Sequence, residues 1–222
     1  MDEIKTYLVG MDFGQSPNPT ALVVVERTIV REGADDLEWH KRFKTYYHVR
    51  DLKPYATGTL YTAIADDVRA ICAREPLQGN VTLICDASGV GRAVMDTLRE
   101  RFGGILYPYG ITIVGGKQVT RGEHGEWRVP KSDLCSIVRI LLETNALQIA
   151  KDLPEARTLG NELHDFRVKV TKDANEIYEA REGAHDDIVL ATALACWYGE
   201  NCMPRAPRAP QPPIRDPFAF LG

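Results

Sequence analysis

Tyr7-Leu8-Val9-Gly10-Met11-Asp12-Phe13-Gly14 is a short apolar run of strand length that ends on a carboxylate. Leu8, Val9 and Met11 are apolar on both parities, so the pattern predicts a strand buried on both faces near the middle of a sheet. Asp12 at its end would lose much of its hydration there, and a buried carboxylate is costly unless something pairs with it. Two readings follow. Asp12 is either a strand-to-turn cap helped by Gly14, or one member of a group of carboxylates gathered at one place. The choice depends on where the chain's other acidic residues arrive.

Downstream of a Gly/Ser/Pro/Asn turn over Gly14–Pro19, Thr20–Arg27 is Val-rich and reads as a second strand. Gly33-Ala34-Asp35-Asp36 is a turn signal, and Leu37–Val49, with Trp39, Phe43, Tyr46 and Tyr47, reads as a third strand. Three strands in succession joined by turns predict an antiparallel meander. The period then changes. Leu60–Arg74 places Leu60, Ile64, Val68, Ile71 and Cys72 on one helical face. Asn80–Asp86 is another apolar strand ending in Asp, and Ser88-Gly89-Val90-Gly91 leads into a helix over Arg92–Phe102. Ile105–Val114 reads as a fifth strand and Gly115–Val129 as a polar, glycine-containing loop. Pro130-Lys131-Ser132-Asp133 opens an amphipathic helix, and Pro154 starts another that reaches Phe166. Val168–Thr171 and Ile177–Ala180 suggest a small hairpin, and a strongly apolar helix runs over His185–Tyr198. This order predicts an α/β fold: a mixed sheet, three antiparallel strands followed by parallel ones, flanked by helices.

The chain of 222 residues, 44% apolar and 26% charged, has an ordinary globular composition. We expect one domain over residues 1–202 and a tail over 203–222. The tail repeats Pro204-Arg205-Ala206-Pro207-Arg208-Ala209-Pro210 and ends in the apolar tip Phe218-Ala219-Phe220-Leu221. Such a Pro-rich segment is expected to be extended or disordered. No run of about 18 apolar residues is present, which predicts no membrane span. Met1-Asp2-Glu3 does not read as a signal peptide, and a cytoplasmic location is expected. Cys72, Cys85, Cys135, Cys196 and Cys202 are odd in number and include no C-x-x-C pair. They read as reduced, buried side chains, not as a disulfide framework or a zinc site. The net charge of −4 argues against a uniformly basic nucleic-acid binder. It leaves room for a local basic face, because acidic metal ligands lower the net charge.

Asp12 and Asp86 each close an apolar strand. If the two strands lie side by side and parallel, their carboxylates meet at the carboxyl edge of the sheet, where ligand sites favour such folds. Asp186-Asp187 supplies a third acidic element at the start of the last helix. The plain reading of that pair is helix capping and dipole complementation. Taken together, three carboxylate sites at the tips of core elements need a counter-charge. Hard divalent cations such as Mg²⁺ or Mn²⁺ take oxygen ligands. Two of them about 4 Å apart promote phosphodiester hydrolysis without a protein nucleophile. No G-x-S-x-G or Cys/His nucleophile pattern is present to compete with that reading.

The stretches VGMDFG and NPTALVVVE, VTLICDASGVGRAVMDTL, VPKSDLCSIVRILLE, and finally YEAREGAHDDIVLATALACW resemble, in that order, the nuclease domain of phage terminase large subunits. The likeness covers most of Tyr7–Tyr198, and Gly183-Ala184-His185-Asp186-Asp187 with the apolar run after it is its most specific part. The resemblance implies a ribonuclease H-like fold, shared with Holliday-junction resolvases. It implies that Asp12, Asp86 and Asp187 form a catalytic metal-binding triad with Asp186 as auxiliary ligand, holding Mg²⁺ or Mn²⁺, two ions in number. It implies cleavage of double-stranded DNA during viral genome packaging. Lys131 matches a lysine near the site in similar sequences and would touch a phosphate or remain a solvated helix-start lysine, while His185 would steer a phosphate or, the favoured reading, simply flank the helix. Lys117, Arg121 and Arg128 join Lys131 as candidate DNA contacts on the phosphate backbone. No G-x-x-x-x-G-K-[ST] loop is present, so the motor activity of full-length terminases is not implied. The chain then reads as an excised domain, a subunit that works with a separate packaging ATPase or portal, or a relative that does not package DNA.

Two other classes fit parts of the sequence. Asp12-Phe13-Gly14 after a strand also matches the first phosphate loop of actin-like nucleotide-binding proteins, though that fold needs two domains and a second glycine-rich loop. An interaction module would use the carboxylates as caps and the Phe218–Leu221 tip as its working part.

Overall fold

The structure is a computed structural model, and it describes residues 3–14, 18–32, 42–122, 126–165, 167–170, 176–179 and 185–204. The 203–222 tail, the Gly33–Asp36 turn and the first residues of the expected third strand lie almost wholly outside these.

The first strand, β1 (Glu3–Asp12), is the hinge of the architecture. It pairs antiparallel with β2 (Thr20–Glu32) on one side and parallel with β4 (Val81–Asp86) on the other. β3 (Arg42–Tyr55) continues antiparallel from β2, which completes the expected meander. β5 (Pro108–Val114) and β7 (Trp127–Pro130) extend the parallel half beyond β4. Two short strands close the edges, β6 (Thr120–Arg121) beside β7 and β8 (Leu147–Ile149) beside β3. The eight strands run in the order β6-β7-β5-β4-β1-β2-β3-β8. A separate hairpin, β9 (Arg167–Val170) with β10 (Glu176–Glu179), stands where the sequence suggests one.

Strand alternation sorts the sheet into two faces. Tyr7, Val9, Met11, Leu22, Val24, Leu83 and Cys85 pack against α1 (Tyr61–Cys72) and α2 (Gly91–Phe102). Leu8, Ala21, Val23, Ile84, Ile111 and Val129 pack against α3 (Lys131–Glu143), α4 (Ala156–Asp165) and α5 (Asp187–Asn201). The helix α5 is buried nearly all round because it lies between the sheet and α3 and α4. Four of the five cysteines are buried and all five are free thiols.

Several sequence expectations need correction. The third strand runs on to Tyr55 and does not end at Val49. Arg50 is the extra residue of a β-bulge opposite Val24/Val25, which breaks the alternation after Val49, and its guanidinium reaches buried Glu26 at 3.1 Å. The Gly115–Val129 stretch is not all loop, since β6 lies within it and β7 begins in it, both too short to show a period. Strand β8 has three residues, below what alternation can reveal. The helix expected from Pro154 begins at Ala156, and the fifth strand at Pro108.

Candidate active site

The strand ladder decides where the carboxylates go. In the parallel β1–β4 pair Met11 stands opposite Cys85, so Asp12 and Asp86 are the next residues on adjacent strands. Parity does the rest: Leu8 and Ile84 face α5, and so do Asp12 and Asp86, which lie at even spacing from them. β7 ends at Pro130 on the same carboxyl edge, which delivers Lys131 there as the first residue of α3.

Gly10 brings the third carboxylate. A methyl group on Gly10 would lie 1.9 Å from the Ala191 carbonyl oxygen, so α5 rests directly on the β1 backbone at this point. Asp187 is one helical turn before Ala191, about 6 Å along the axis. Asp12 is two strand residues after Gly10, about 6.6 Å on. The two displacements match, and Asp187 is set over Asp12.

Burial and mutual repulsion show in the protonation of the group. Asp12 is only 7% exposed. Its carboxyl is pushed well above the usual range by burial and then by the charges of Asp86, Asp187 and Asp186, with Lys131 opposing. Burial also raises Asp86, while bonds from Ser88 and the Asp12 carboxyl draw it back. Burial lifts Asp187 to about 6, with His185 pulling down and Asp186 pushing up. These are the shifts expected where like charges converge in a desolvated cleft.

Several partners hold the cluster. Ser88 donates to Asp86 Oδ1 from its backbone N–H (2.8 Å) and its hydroxyl (2.5 Å), and Ser88 Oγ accepts the Ile113 N–H at 2.8 Å. Lys131 Nζ stands 2.6 Å from Asp186 Oδ2. His185 Nδ1 lies 3.4 Å from Asp187 Oδ2. Asp187 Oδ2 is buried and accepts no hydrogen bond among the described residues. The capping reading of Asp186 fails, because Asp186 makes no side-chain capping bond to its helix. Glu162 of α4 instead accepts the Val189 N–H at 2.9 Å. Burial raises its carboxyl to about 7 against that backbone donor.

Ser88 and Glu162 escape a reading of the sequence. Ser88 had a faint signal, an Asp-x-Ser step after a strand. Glu162 had none, for it sits on a helix far from any motif. The basic candidates separate. Lys131 is at the carboxylates and Lys117 is exposed just beyond the carboxyl end of β5. Arg128 is exposed on β7. Arg121 lies 4.2 Å over the Trp127 ring, which packs against Trp197, ten residues into α5 from Asp187. That places it about 15 Å along the helix from the carboxylates.

Among the described residues no three His, Cys, Asp or Glu side chains already stand as a closed metal-holding group. Asp86 is turned to Ser88 and Asp186 to Lys131. The donors fit a hard divalent cation nonetheless. They are all carboxylate oxygens, they repel one another, and buried Asp187 Oδ2 accepts no hydrogen bond among the described residues, His185 standing beside it only as an ion-pair partner.

With this geometry in hand, the chain aligns with the large terminase nuclease from thermophilic phage G20c at a TM-score of 0.58 and 20% identity, over 88% of this chain and 82% of that one. The chain has the ribonuclease H-like fold of the large-terminase nuclease domains. The same phage nuclease has also been determined with bound magnesium and with bound cobalt. The terminase fold recurs in the Thermus phage P74-26 nuclease domain, with a TM-score of 0.54 and 19% identity over 90% of this chain and 83% of that one. It recurs again in the human cytomegalovirus terminase nuclease domain, soaked with Mn, at 0.51 and 8% over 87% and 83%. No family model matches the chain and no curated protein does. Among the described residues no helix is long and apolar enough to cross a membrane.

Proposed function

We propose that the chain is a metal-dependent endonuclease that hydrolyses phosphodiester bonds of double-stranded DNA, in the cleavage step of viral genome packaging. The observation that carries this reading is the convergence of Asp12, Asp86 and Asp187 at the carboxyl edge of β1 and β4, under the first turn of α5. The Mg-bound, Co-bound and Mn-soaked structures of domains with this fold support it. Asp12, Asp86 and Asp187 would hold Mg²⁺ or Mn²⁺, two ions in number, with Asp186 as auxiliary ligand. Bound there, the metal would supply activation of a water and stabilisation of the leaving oxygen.

The chain's own residues do the rest. Ser88 fixes the rotation of Asp86. Lys131 neutralises Asp186 and presents an ammonium to an incoming phosphate. Lys117 and Arg128, exposed on the same half of the sheet, contact the phosphate backbone without reading sequence, and Arg121 extends that basic face away from the cut. The partners are duplex DNA and a separate packaging ATPase or portal.

A plasmid-nicking assay with Mg²⁺, Mn²⁺ or EDTA, wild type beside Asp86→Asn, tests the proposal. Metal-dependent cleavage that vanishes in the variant is expected. Metal-independent cleavage, or an active Asp86→Asn, would overturn it. A preference for four-way junctions over linear duplex would move the assignment to a resolvase.

A further inference from the structure

An α-helix starts with backbone N–H groups that have no partner within the helix, and the residue at the N-cap is the usual source of an acceptor. Asp186 holds that position in α5, and Asp is among the best capping residues, yet its side chain makes no capping bond. It is drawn instead to Lys131 Nζ at 2.6 Å. The open donor is satisfied from another helix: Glu162 Oε2, buried on α4, accepts the Val189 N–H at 2.9 Å. Asp187, on the first turn of the same helix, keeps an oxygen buried with no hydrogen-bond donor among the described residues.

We propose that Glu162 is a positioning residue for the metal site: by capping α5 from outside, it keeps Asp186 from turning back onto the helix it opens, and it fixes the first turn of α5, with Asp187 on it, toward Asp12 and Asp86. The need is physical. An uncapped helix start beside two flexible carboxylates satisfies itself with the nearest one, and each carboxylate so used is lost to a cation. A cap borrowed from α4 removes that competition and ties the first turn of α5 to a rigid neighbour. Supporting groups of this kind typically change metal affinity by about 10- to 100-fold when lost. This inference rests on the metal-site reading of Asp186 and Asp187.

The role depends on an acceptor oxygen at the right reach and not on charge, and this sets the test. Glu162→Gln keeps an oxygen at the same distance and removes the charge. Glu162→Asp keeps the charge and shortens the reach by one methylene. Glu162→Ala removes both. Mn²⁺ affinity of the full chain is measured by calorimetry, and exchange of the Val189 amide by hydrogen exchange in EDTA. Glu162→Gln is expected to bind within about threefold of wild type with Val189 still protected. Glu162→Asp and Glu162→Ala are expected to bind at least about tenfold more weakly with Val189 exchanging faster. If Gln weakens binding as much as Ala, or Asp binds like wild type, Glu162 acts through charge or not at all, and the inference is overturned. The Gln and Asp variants keep the buried volume near native, so the comparison survives an unfolded Ala variant. A wild type that binds no Mn²⁺ would sink the metal-site reading itself, while unchanged Val189 exchange in Glu162→Asp would sink the capping role on its own.

Discussion

Gly10 and Ala191 are in backbone contact: a Cβ on Gly10 would lie 1.9 Å from the Ala191 carbonyl oxygen. Neither backbone has a side chain to yield, so Gly10→Ala must lift α5 off β1. We expect a loss on the order of 3 kcal/mol, the upper range for overpacking a core. For a chain of this size that lowers Tm by roughly 6–12 °C. Because the same contact sets Asp187 over Asp12, Mn²⁺ affinity should fall together with Tm. Thermal melts and calorimetry check both, and a variant as stable as wild type would show that the contact is slack.

Asp12 sits at the centre of the repulsion, with Asp86, Asp187 and Asp186 all raising its carboxyl. Removing its charge relieves strain in the metal-free protein. Asp12→Asn is therefore expected to raise Tm in EDTA by a few degrees while abolishing cleavage, the exchange of stability for function found at strained sites. A lower Tm in EDTA would mean that Asp12 is a structural anchor.

The sign of the pH dependence follows from the raised carboxyls. Asp187, near 6, and Glu162, near 7, bind protons more tightly folded than unfolded. In EDTA, stability should rise as pH falls from 7 through these values toward the ordinary carboxylate range, and fall as pH rises again. Each kcal/mol shifts Tm by about 2–4 °C. Saturating Mn²⁺ should flatten or invert the trend, because a cation and protons compete for the same oxygens. Melts at pH 5, 6 and 7 with and without Mn²⁺ decide it; a metal-free Tm that drops between pH 7 and 5 contradicts it.

Much of this was legible in the sequence, for a reason visible at Asp12 and Asp86. A central parallel pair is written as two unbroken apolar runs, and a carboxylate at the end of each marks the sheet edge without knowledge of tertiary contacts. The DD step before an apolar helix was equally plain, though its capping role had to be judged in space. Glu162 was illegible, because its partner is a backbone N–H 27 residues away. β6 and β8 were illegible too, since strands of two and three residues carry no period. The Arg50 bulge hid the rest of β3, because one extra residue breaks the alternation just after Val49.

Ser88 bridges two strands through one hydroxyl, donating to Asp86 Oδ1 and accepting the Ile113 N–H. Ser88→Ala leaves that N–H without its acceptor, at a cost of about 1–2 kcal/mol, and frees Asp86 to rotate. Cleavage should drop roughly 10- to 100-fold. Ser88→Thr, which retains the hydroxyl, should recover most of it. Equal loss in both variants would assign the effect to packing.

Lys131 and Arg121 offer opposite expectations from the same charge. Lys131 is 2.6 Å from Asp186, within the carboxylate cluster, whereas the Arg121 guanidinium lies 4.2 Å over Trp127 at the far end of α5. Lys131→Ala leaves Asp186 without its cation and removes the ammonium nearest the expected cut. It should reduce cleavage at every DNA sequence and lower the salt slope of binding by about 1. Arg121→Ala should leave cleavage within about threefold and cost less than about 1 kcal/mol of stability, the worth of an exposed cation–aromatic contact. Titrating labelled duplex at several salt concentrations, beside nicking rates, separates the two. If Arg121→Ala proved the more damaging to cleavage, the DNA would have to run along β6 and away from Lys131.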